Sequence, residues 1–209
     1  MILKSKLFGK VYEFKDVKDV LGKANELKSG DQLAGVAAET VQERIAAKAC
    51  LANLTVQDIY ENPVAPYEED EVTRCIQDGI NFKAYERCKN WTLAQLREFI
   101  LDDHTTTDQL RDISVGLSAE VASAVTKLMS SIDLMIGAQK MPVHKTCVTT
   151  CGYPDRLSFR LQPNHTTDDI DAMRITYMEG FSYCVGDALF GMNPVDDTVG
   201  NVDRVLRDY

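Results

Sequence analysis

The sequence has few of the features that mark membrane, secreted or nucleic-acid-binding proteins. No stretch approaches the ~20 consecutive apolar residues of a membrane-spanning helix, and the start lacks the continuous apolar run of a signal peptide. The 23 basic residues are outnumbered by 32 acidic ones, so the formal net charge is −9. Because nucleic acids and anionic lipids attract basic surfaces, we expect no nucleic-acid partner, no membrane partner and a cytoplasmic location.

Cysteine and histidine are also scarce. Six cysteines in 209 residues are too few for a disulfide scaffold, and none forms a Cys-x-x-Cys pair. Cys147 and Cys151 lie near His144, but the second ligand pair that a structural zinc site needs is not evident. The sequence therefore predicts no metal site, and we interpret the cysteines as small buried hydrophobic residues of a reduced protein.

What the sequence does contain is a globular composition, 44% hydrophobic and 26% charged, and a change of pattern near residue 131. Before that point, apolar residues recur at helical spacing behind residues typical of helix caps. Predicted helices begin after Asp16, Thr40, Thr55, Thr92, the segment 105–108 and Ser118. The first of them is expected to continue to Gly30. We therefore predict a mainly helical region over residues 1–131.

From residue 132 onward, short apolar segments alternate with helical ones. The segments predicted as strands are 132–137, 157–161 and 187–192. Helices are predicted to begin at 168–171 and at 196–198, and this alternation favours parallel α/β units. At ~30 residues per βαβ unit, the segment holds about two or three strands, whereas a closed barrel needs eight. The segment is therefore either a small open sheet or the front part of something larger.

Polar side chains stand at the ends of two of these predicted strands. Arg160 and Gln162 are two residues apart at one strand end, so both point to the same face. Asn193 directly follows the next predicted strand, before Pro194. Because α/β proteins build active sites at the carboxyl ends of parallel strands, these residues are candidates for a functional site. The structural alternative is that Arg160 pairs with a helix-start carboxylate such as Asp168.

Several stretches, in this order, resemble the family of ethanolamine ammonia-lyase large subunits. They are 29–38 (SGDQLAGVAA), 42–48 (QERIAAK), 72–78 (VTRCIQD), 160–164 (RLQPN) and 186–195 (GDALFGMNPV). The similarity runs along essentially the whole chain, which resembles the N-terminal part, somewhat under half, of that subunit. The resemblance implies an α/β fold in which a helical region, 1–131, precedes the first βα units of a (β/α)8 TIM-type barrel, 132–209, incomplete in this chain.

The family's reaction is the adenosylcobalamin-dependent radical conversion of ethanolamine to acetaldehyde and ammonia. The resemblance thus implies a carbon–nitrogen lyase with adenosylcobalamin as cofactor and Arg160 as catalytic residue. It implies substrate binding by Arg160, Leu161, Gln162 and Asn193, with Arg160 and Asn193 on the hydroxyl and Gln162 on the amino end. Pro194 is implied to lie against the corrin ring. The implied partners are a small subunit and other large subunits, and such enzymes often work inside bacterial microcompartments.

The chain departs from the family pattern just before the arginine. Phe159 stands where the family has a small residue, and Arg156 adds a charge. The family's catalytic carboxylates are expected beyond Tyr209, so we expect these residues alone not to turn over ethanolamine. Two hypotheses stay open: a portion of a lyase large subunit, or a truncated non-catalytic homologue that acts only in subunit association.

Overall fold

A computed structural model shows two units, Met1–Met141 and Pro142–Tyr209. It describes residues 2–146, 150–153, 155, 157–183, 185 and 189–208. The structure is α/β and mostly helical, with three separate pairs of short strands among the described residues. Every helix in those residues is too short or too polar to span a bilayer.

The first unit begins with a β-hairpin and continues as helices. Its elements are β1 (Leu3–Leu7), β2 (Lys10–Phe14), α1 (Val17–Lys23), α2 (Ser29–Leu33), α3 (Val41–Ala52), α4 (Val56–Glu61), α5 (Glu71–Asp78), α6 (Phe82–Cys88), α7 (Leu93–Leu101), α8 (Thr107–Ser114), α9 (Ala119–Thr126) and α10 (Ser131–Lys140). The hairpin turn, Phe8 and Gly9, has positive φ at both residues, as a two-residue turn of type I′ requires. This hairpin was not predicted from the sequence, although Leu3, Ser5 and Leu7 alternate with Lys4 and Lys6 at the period of a half-buried strand.

The predicted helix starts in this unit are confirmed by observed caps. Each cap side chain accepts a hydrogen bond from a backbone N–H three residues on, which satisfies a donor that the first helical turn leaves free. The cap residues are Asp16, Thr40, Thr55, Thr92, Thr106 and Ser118. The predicted extension of the first helix to Gly30 is wrong. Helix α1 ends at Lys23, and the Asn25 side chain donates to the Asp31 carboxylate at 2.9 Å across the turn into α2.

Residues 131–140 form helix α10, so the strand predicted at 132–137 is wrong. Ser130 and Asp133 form a capping box, in which each side chain accepts from the other residue's backbone N–H at 3.2 and 2.9 Å. Ile132 and Met135 stay more than half exposed on this helix. The helix belongs to the first unit, which therefore ends ten residues later than the predicted boundary at 131.

The core of the first unit is apolar and continuous. The hairpin contributes Phe14, and the helices around it contribute Val20, Leu51, Ile59 and Leu93, all nearly inaccessible to solvent. Trp91, the only tryptophan of the chain, packs partly buried against this cluster. Burial of a single side chain of this size stabilises the fold by about 1.5–3 kcal/mol.

The second unit contains a βαβ arrangement. Its elements are β3 (Lys145–Thr146), β4 (Thr150–Cys151), β5 (Arg160–Leu161), α11 (Ile170–Ser182), β6 (Leu189–Phe190) and α12 (Val199–Asp208). Strands β5 and β6 are parallel, with α11 between them in sequence, which confirms the predicted parallel unit. Both strands are shorter than the apolar segments that predicted them. No further strand joins this pair within the described residues.

Close contacts hold α11 against the strand that precedes it. A Cβ on Gly180 would overlap the Leu161 side chain, so a larger residue there would displace that side chain, and glycine lets α11 lie close to β5. Asp169 caps α11 by accepting from the Ala172 N–H at 2.8 Å, as the acidic segment 168–171 predicts. Arg174 of α11 forms an ion pair with Asp208 at the end of α12, which links the two helices.

The cysteines are not all buried. Cys50 and Cys88 are buried as predicted, and burial raises the pKa of both thiols. Cys75 is exposed and Cys151 half-buried, so the prediction is wrong for Cys75. Cys147 and Cys184 lie outside the described residues.

Candidate functional site

The predicted site residues lie at one edge of the β5–β6 pair. Leu189 N–H donates to the carbonyl of Phe159 at 2.9 Å, and Gly191 N–H donates to the carbonyl of Leu161 at 3.0 Å. These bonds set Arg160 opposite Leu189. Because the strands are parallel, both end at the same edge, so the loops that carry Gln162 and Asn193 leave the pair side by side.

The Arg160 guanidinium lies against the main chain that follows β6. A Cβ on Gly191 would overlap the Nε, Cζ and Nη2 atoms of Arg160, and Gly191 is itself buried. The guanidinium can occupy this position because residue 191 is a glycine and has no side chain. Within the described residues Arg160 forms no ion pair, and it is an exposed residue.

Asn164 joins the two loops. Its side-chain Oδ1 accepts a hydrogen bond from the Asn193 backbone N–H at 3.1 Å. Its own N–H donates to the Gln162 carbonyl at 2.9 Å, while Pro163 between them is buried. Gln162 and Asn193 are both exposed, so the joined loops present two amide side chains to solvent.

Leu161 differs from its predicted neighbours. Its side chain packs against Gly180 of α11, and its carbonyl oxygen accepts from Gly191. At the end of the strand pair, Leu161 therefore contributes its backbone and not its side chain. Pro194 is half-buried directly after Asn193.

The Asp168 carboxylate does not pair with Arg160 in this structure. It accepts instead from the backbone N–H groups of Val195 and Asp196, each at 3.0 Å, and from Asn201 Nδ2 at 2.7 Å. The N–H groups of Asp196 and Val195 hold the pKa of this carboxyl below its ordinary value, against the opposing effect of burial. The alternative that the sequence left open, an ion pair between Asp168 and Arg160, is therefore not found. Asp168 instead joins the loop after β5 to the loop after β6.

Three residues that shape this edge, Asn164, Gly191 and Asn201, were given no role from the sequence, and Asp168 was named only as an alternative partner of Arg160. The glycine directly after an apolar run was a usable signal, since such a glycine marks close approach of another group. The partners of Asp168 are 27 or more residues away in sequence, and no local pattern pairs them. Arg156, noted as a departure from the family pattern, lies outside the described residues.

The arrangement can bind a small polar molecule. It offers a guanidinium that stays charged at all physiological pH values and two amide groups, each able to donate and to accept. In the part of the chain that is described, no group of three or more His, Cys, Asp or Glu side chains could hold a metal ion.

Comparison with known proteins gives consistent matches. The family model described as "Ethanolamine ammonia lyase large subunit (EutB)" matches residues 12–209. The ethanolamine ammonia-lyase large subunit of Escherichia coli (strain K12) is 54% identical over 206 residues, and so is that of Salmonella typhimurium (strain LT2). Each match covers 99% of this chain and 46% of the relative. The chain thus spans about half the length of the curated relatives it matches.

Proposed function

Since the chain belongs to the ethanolamine ammonia-lyase large-subunit family, we propose that it is the portion of such a lyase that holds ethanolamine. The single observation that supports this best is the Arg160 guanidinium seated against Gly191 at the edge where β5 and β6 end. Gln162 and Asn193 leave the same edge on loops joined through Asn164. One cation and two amides at one edge suit a molecule with one hydroxyl and one amino group.

Each residue has a distinct role in this proposal. Arg160 and the Asn193 amide donate hydrogen bonds to the substrate hydroxyl oxygen, and the Gln162 amide oxygen accepts from the amino end. Donors already fixed by the protein stabilise charge that develops during the reaction without having to reorganise. Gly191 leaves room for the Arg160 guanidinium at this place, and Arg160 is the residue proposed to be catalytic. Leu161 contributes through its main chain.

Adenosylcobalamin is the proposed cofactor, and the residues present fit part of its surface. Pro194 is half-buried, lacks an N–H group and directly follows Asn193, so it offers a flat apolar contact for the corrin ring beside a polar side chain. When bound, the cofactor supplies the radical chemistry. The residues of this chain bind and orient the substrate. Other cofactor contacts are proposed to come from the remainder of the large subunit and from the small subunit.

The second unit is proposed to be the start of a (β/α)8 barrel. Residues Pro142–Tyr209 would supply its first βα units, and residues Met1–Met141 would form the mainly helical region that precedes it. The parallel β5–β6 pair supports this, because two short strands do not form a stable sheet by themselves. Leu157, Leu189 and Val199 are all more than half exposed, as expected of residues that further parts of a barrel would cover.

The proposed partners are the lyase small subunit and other large subunits, within the cytoplasm or a bacterial microcompartment. A role limited to subunit association is the competing proposal, and the same exposed apolar residues would serve it. The two proposals differ in whether Arg160 matters for turnover.

A hybrid enzyme tests the proposal. The matching segment of the Escherichia coli relative would be replaced by this chain, and ammonia release from ethanolamine measured with adenosylcobalamin and the Escherichia coli small subunit. We expect turnover, and a loss of about 10²–10³-fold in kcat for Arg160→Ala, the cost typical of removing one fixed donor. Arg111→Ala, an exposed arginine of the first unit, is the matched control.

The outcomes separate the two hypotheses. A hybrid that assembles with the small subunit but releases no ammonia would favour the association-only role. A hybrid in which Arg160→Ala turns over as fast as Arg111→Ala would show that the substrate site lies elsewhere.

A further inference from the structure

Asp168 is a charged residue in a buried position. Only 2% of its surface is exposed, and its φ of 51° lies in the left-handed region. A buried carboxylate is costly unless hydrogen bonds replace the water that it loses. A non-glycine residue at positive φ adds a further cost, which is smallest for Asn and Asp. Two costs at one position require compensating contacts.

The compensation comes from the loop that follows β6. The carboxylate accepts from the N–H groups of Val195 and Asp196, the two residues directly after Asn193–Pro194. Hydrogen bonds to an ionised group are shorter and stronger than those between neutral groups. The loop after β5 is therefore hydrogen-bonded to the loop after β6 just beyond Asn193, a residue proposed to bind the substrate.

Helix α12 is attached to the same residue. Asn201 Nδ2 donates to the carboxylate at 2.7 Å, and Arg204 Nη2 donates to the Asp168 carbonyl at 3.0 Å. Arg204 also donates to Asn201 Oδ1 at 2.6 Å, which holds the Asn201 amide with its N–H₂ group toward Asp168. Three segments of the second unit meet at this one side chain.

We propose that Asp168 is a positioning residue that sets where the Asn193 side chain stands relative to the Arg160 guanidinium. Asn193 is held on both sides: Asn164 bonds its N–H, and Asp168 bonds the two residues that follow Pro194. Asp168 does not touch the substrate in this proposal. It acts through Asn193, so the inference rests on the proposed function of that residue.

Asp168→Asn is the informative change. Asparagine has nearly the same shape and tolerates positive φ, but its side chain carries one acceptor oxygen and an NH₂ group. With its oxygen in the place of Oδ2, the asparagine can still accept from Asp196 and Asn201, but its NH₂ group then faces the Val195 N–H and every remaining bond loses the carboxylate charge. Asp169→Asn is the matched control, because it removes the same charge one residue away at an exposed helix cap where asparagine serves equally well.

The first test uses the chain itself and needs no substrate. In ¹⁵N–¹H spectra, we expect Asp168→Asn to move the Val195 and Asp196 amide proton signals upfield and to speed their exchange with solvent about 10-fold or more, since charge-assisted bonds are lost. Asp169→Asn is expected to leave both amides unchanged. Unchanged Val195 and Asp196 signals in Asp168→Asn would overturn the proposal.

The second test uses the hybrid enzyme and separates positioning from simple stability. We expect Asp168→Asn to raise KM and lower kcat/KM by about 10-fold or more, because small misplacements of a binding group are costly. A role in stability alone would reduce the active fraction and leave KM unchanged. In an Asn193→Ala background the effect of Asp168→Asn on KM should disappear, since the two residues act in series.

The outcomes distinguish the two levels of the argument. If Asn193→Ala leaves KM unchanged, the substrate role of Asn193 fails, and the inference about Asp168 fails with it. If Asn193→Ala raises KM but Asp168→Asn does not, the proposed function stands and the inference alone is overturned.

Discussion

In residues 1–141 most of the buried side chains form one apolar cluster, whereas in the described part of residues 142–209 the buried side chains are Pro163, Asp168, Met173 and Val205. The first unit therefore has enough apolar burial to favour its own folding. The second unit joins its loops by hydrogen bonds and close glycine contacts, and it leaves many apolar side chains exposed. We therefore expect substitutions in the first unit to lower its stability, and substitutions in the second unit to disturb the geometry of the proposed site.

The largest expected effect is a cavity in the first core. Leu51 has no exposed surface, so Leu51→Ala is expected to cost about 2–5 kcal/mol of unfolding free energy. Denaturant unfolding followed by Trp91 fluorescence measures this, because the only tryptophan packs against that core.

Leu33→Ala is the matched control. Leu33 is 91% exposed, and its truncation should change the free energy of unfolding by no more than about 0.5 kcal/mol. Equal losses for the two leucines would mean that the cluster is not the source of the first unit's stability.

The second prediction moves to the loop edge. In Gly191→Ala the new methyl group overlaps the Arg160 guanidinium, which must then shift because it is the flexible partner. We expect a loss of about 10- to 100-fold in kcat/KM of the hybrid enzyme, as for other small misplacements, with the Trp91 transition unchanged.

Gly200→Ala is the control, since a Cβ there meets nothing and alanine suits a helix better than glycine. Full activity in Gly191→Ala would show that the placement of Arg160 is not needed for turnover.

A third, smaller effect concerns the helix caps. Thr92 Oγ1 accepts from the Gln95 N–H at 3.1 Å, and Gln95 Oε1 accepts from the Thr92 N–H at 2.9 Å. Thr92→Ala should destabilise the first unit by about 1 kcal/mol, seen as a lower denaturant midpoint. Thr92→Ser keeps the hydroxyl and should recover most of that loss. A serine variant as unstable as the alanine variant would assign the effect to the threonine methyl group.

The features that could be predicted from the sequence, such as the helix starts, depend on contacts between residues close in the chain. Caps such as Thr40 and Ser118 bond to a residue three positions on, so pattern and structure lie within one helical turn. The parallel unit was predictable because the segments 157–161 and 187–192 lie on either side of a helical pattern that begins at 168–171. The segment 132–137 was wrongly predicted as a strand, because an apolar run of six residues suits a strand or a helix equally, and its capping box was overlooked.

What could not be predicted depends on contacts between distant residues. The place of the Arg160 guanidinium is set by Gly191, and the burial of Asp168 is set by Val195, Asp196 and Asn201. Nothing in a local window links these residues. Arg160, Gln162 and Asn193 were candidates from their positions at strand ends, and their roles came from the resemblance to a family, whereas their supports became visible only in the structure.

The smallest expected effect is a pH dependence carried by Asp133 in the first unit. The Arg97 guanidinium, 2.7 Å away, and the Ser130 N–H hold the pKa of this carboxyl below its ordinary value. A lowered native pKa stabilises the fold at pH above the unfolded value of about 4, and this contribution is lost as pH falls through the native pKa. Asp133→Asn should therefore lower the Trp91 unfolding midpoint at pH 7 and flatten its decline in acid.

The effect should be smaller than the loss of the Thr92 cap, since both partners of the ion pair are partly exposed. In an Arg97→Gln background the change at pH 7 should shrink, whereas parallel pH curves for Asp133→Asn and the unmodified chain would contradict the assignment. Asp168 of the second unit is the contrasting case. The pKa of its carboxyl is also lowered, but by main-chain N–H groups of a loop. Its protonation should loosen the Val195 and Asp196 amides without moving the Trp91 transition, because the carboxylate supports the geometry of the second unit and lies outside the core that Trp91 reports.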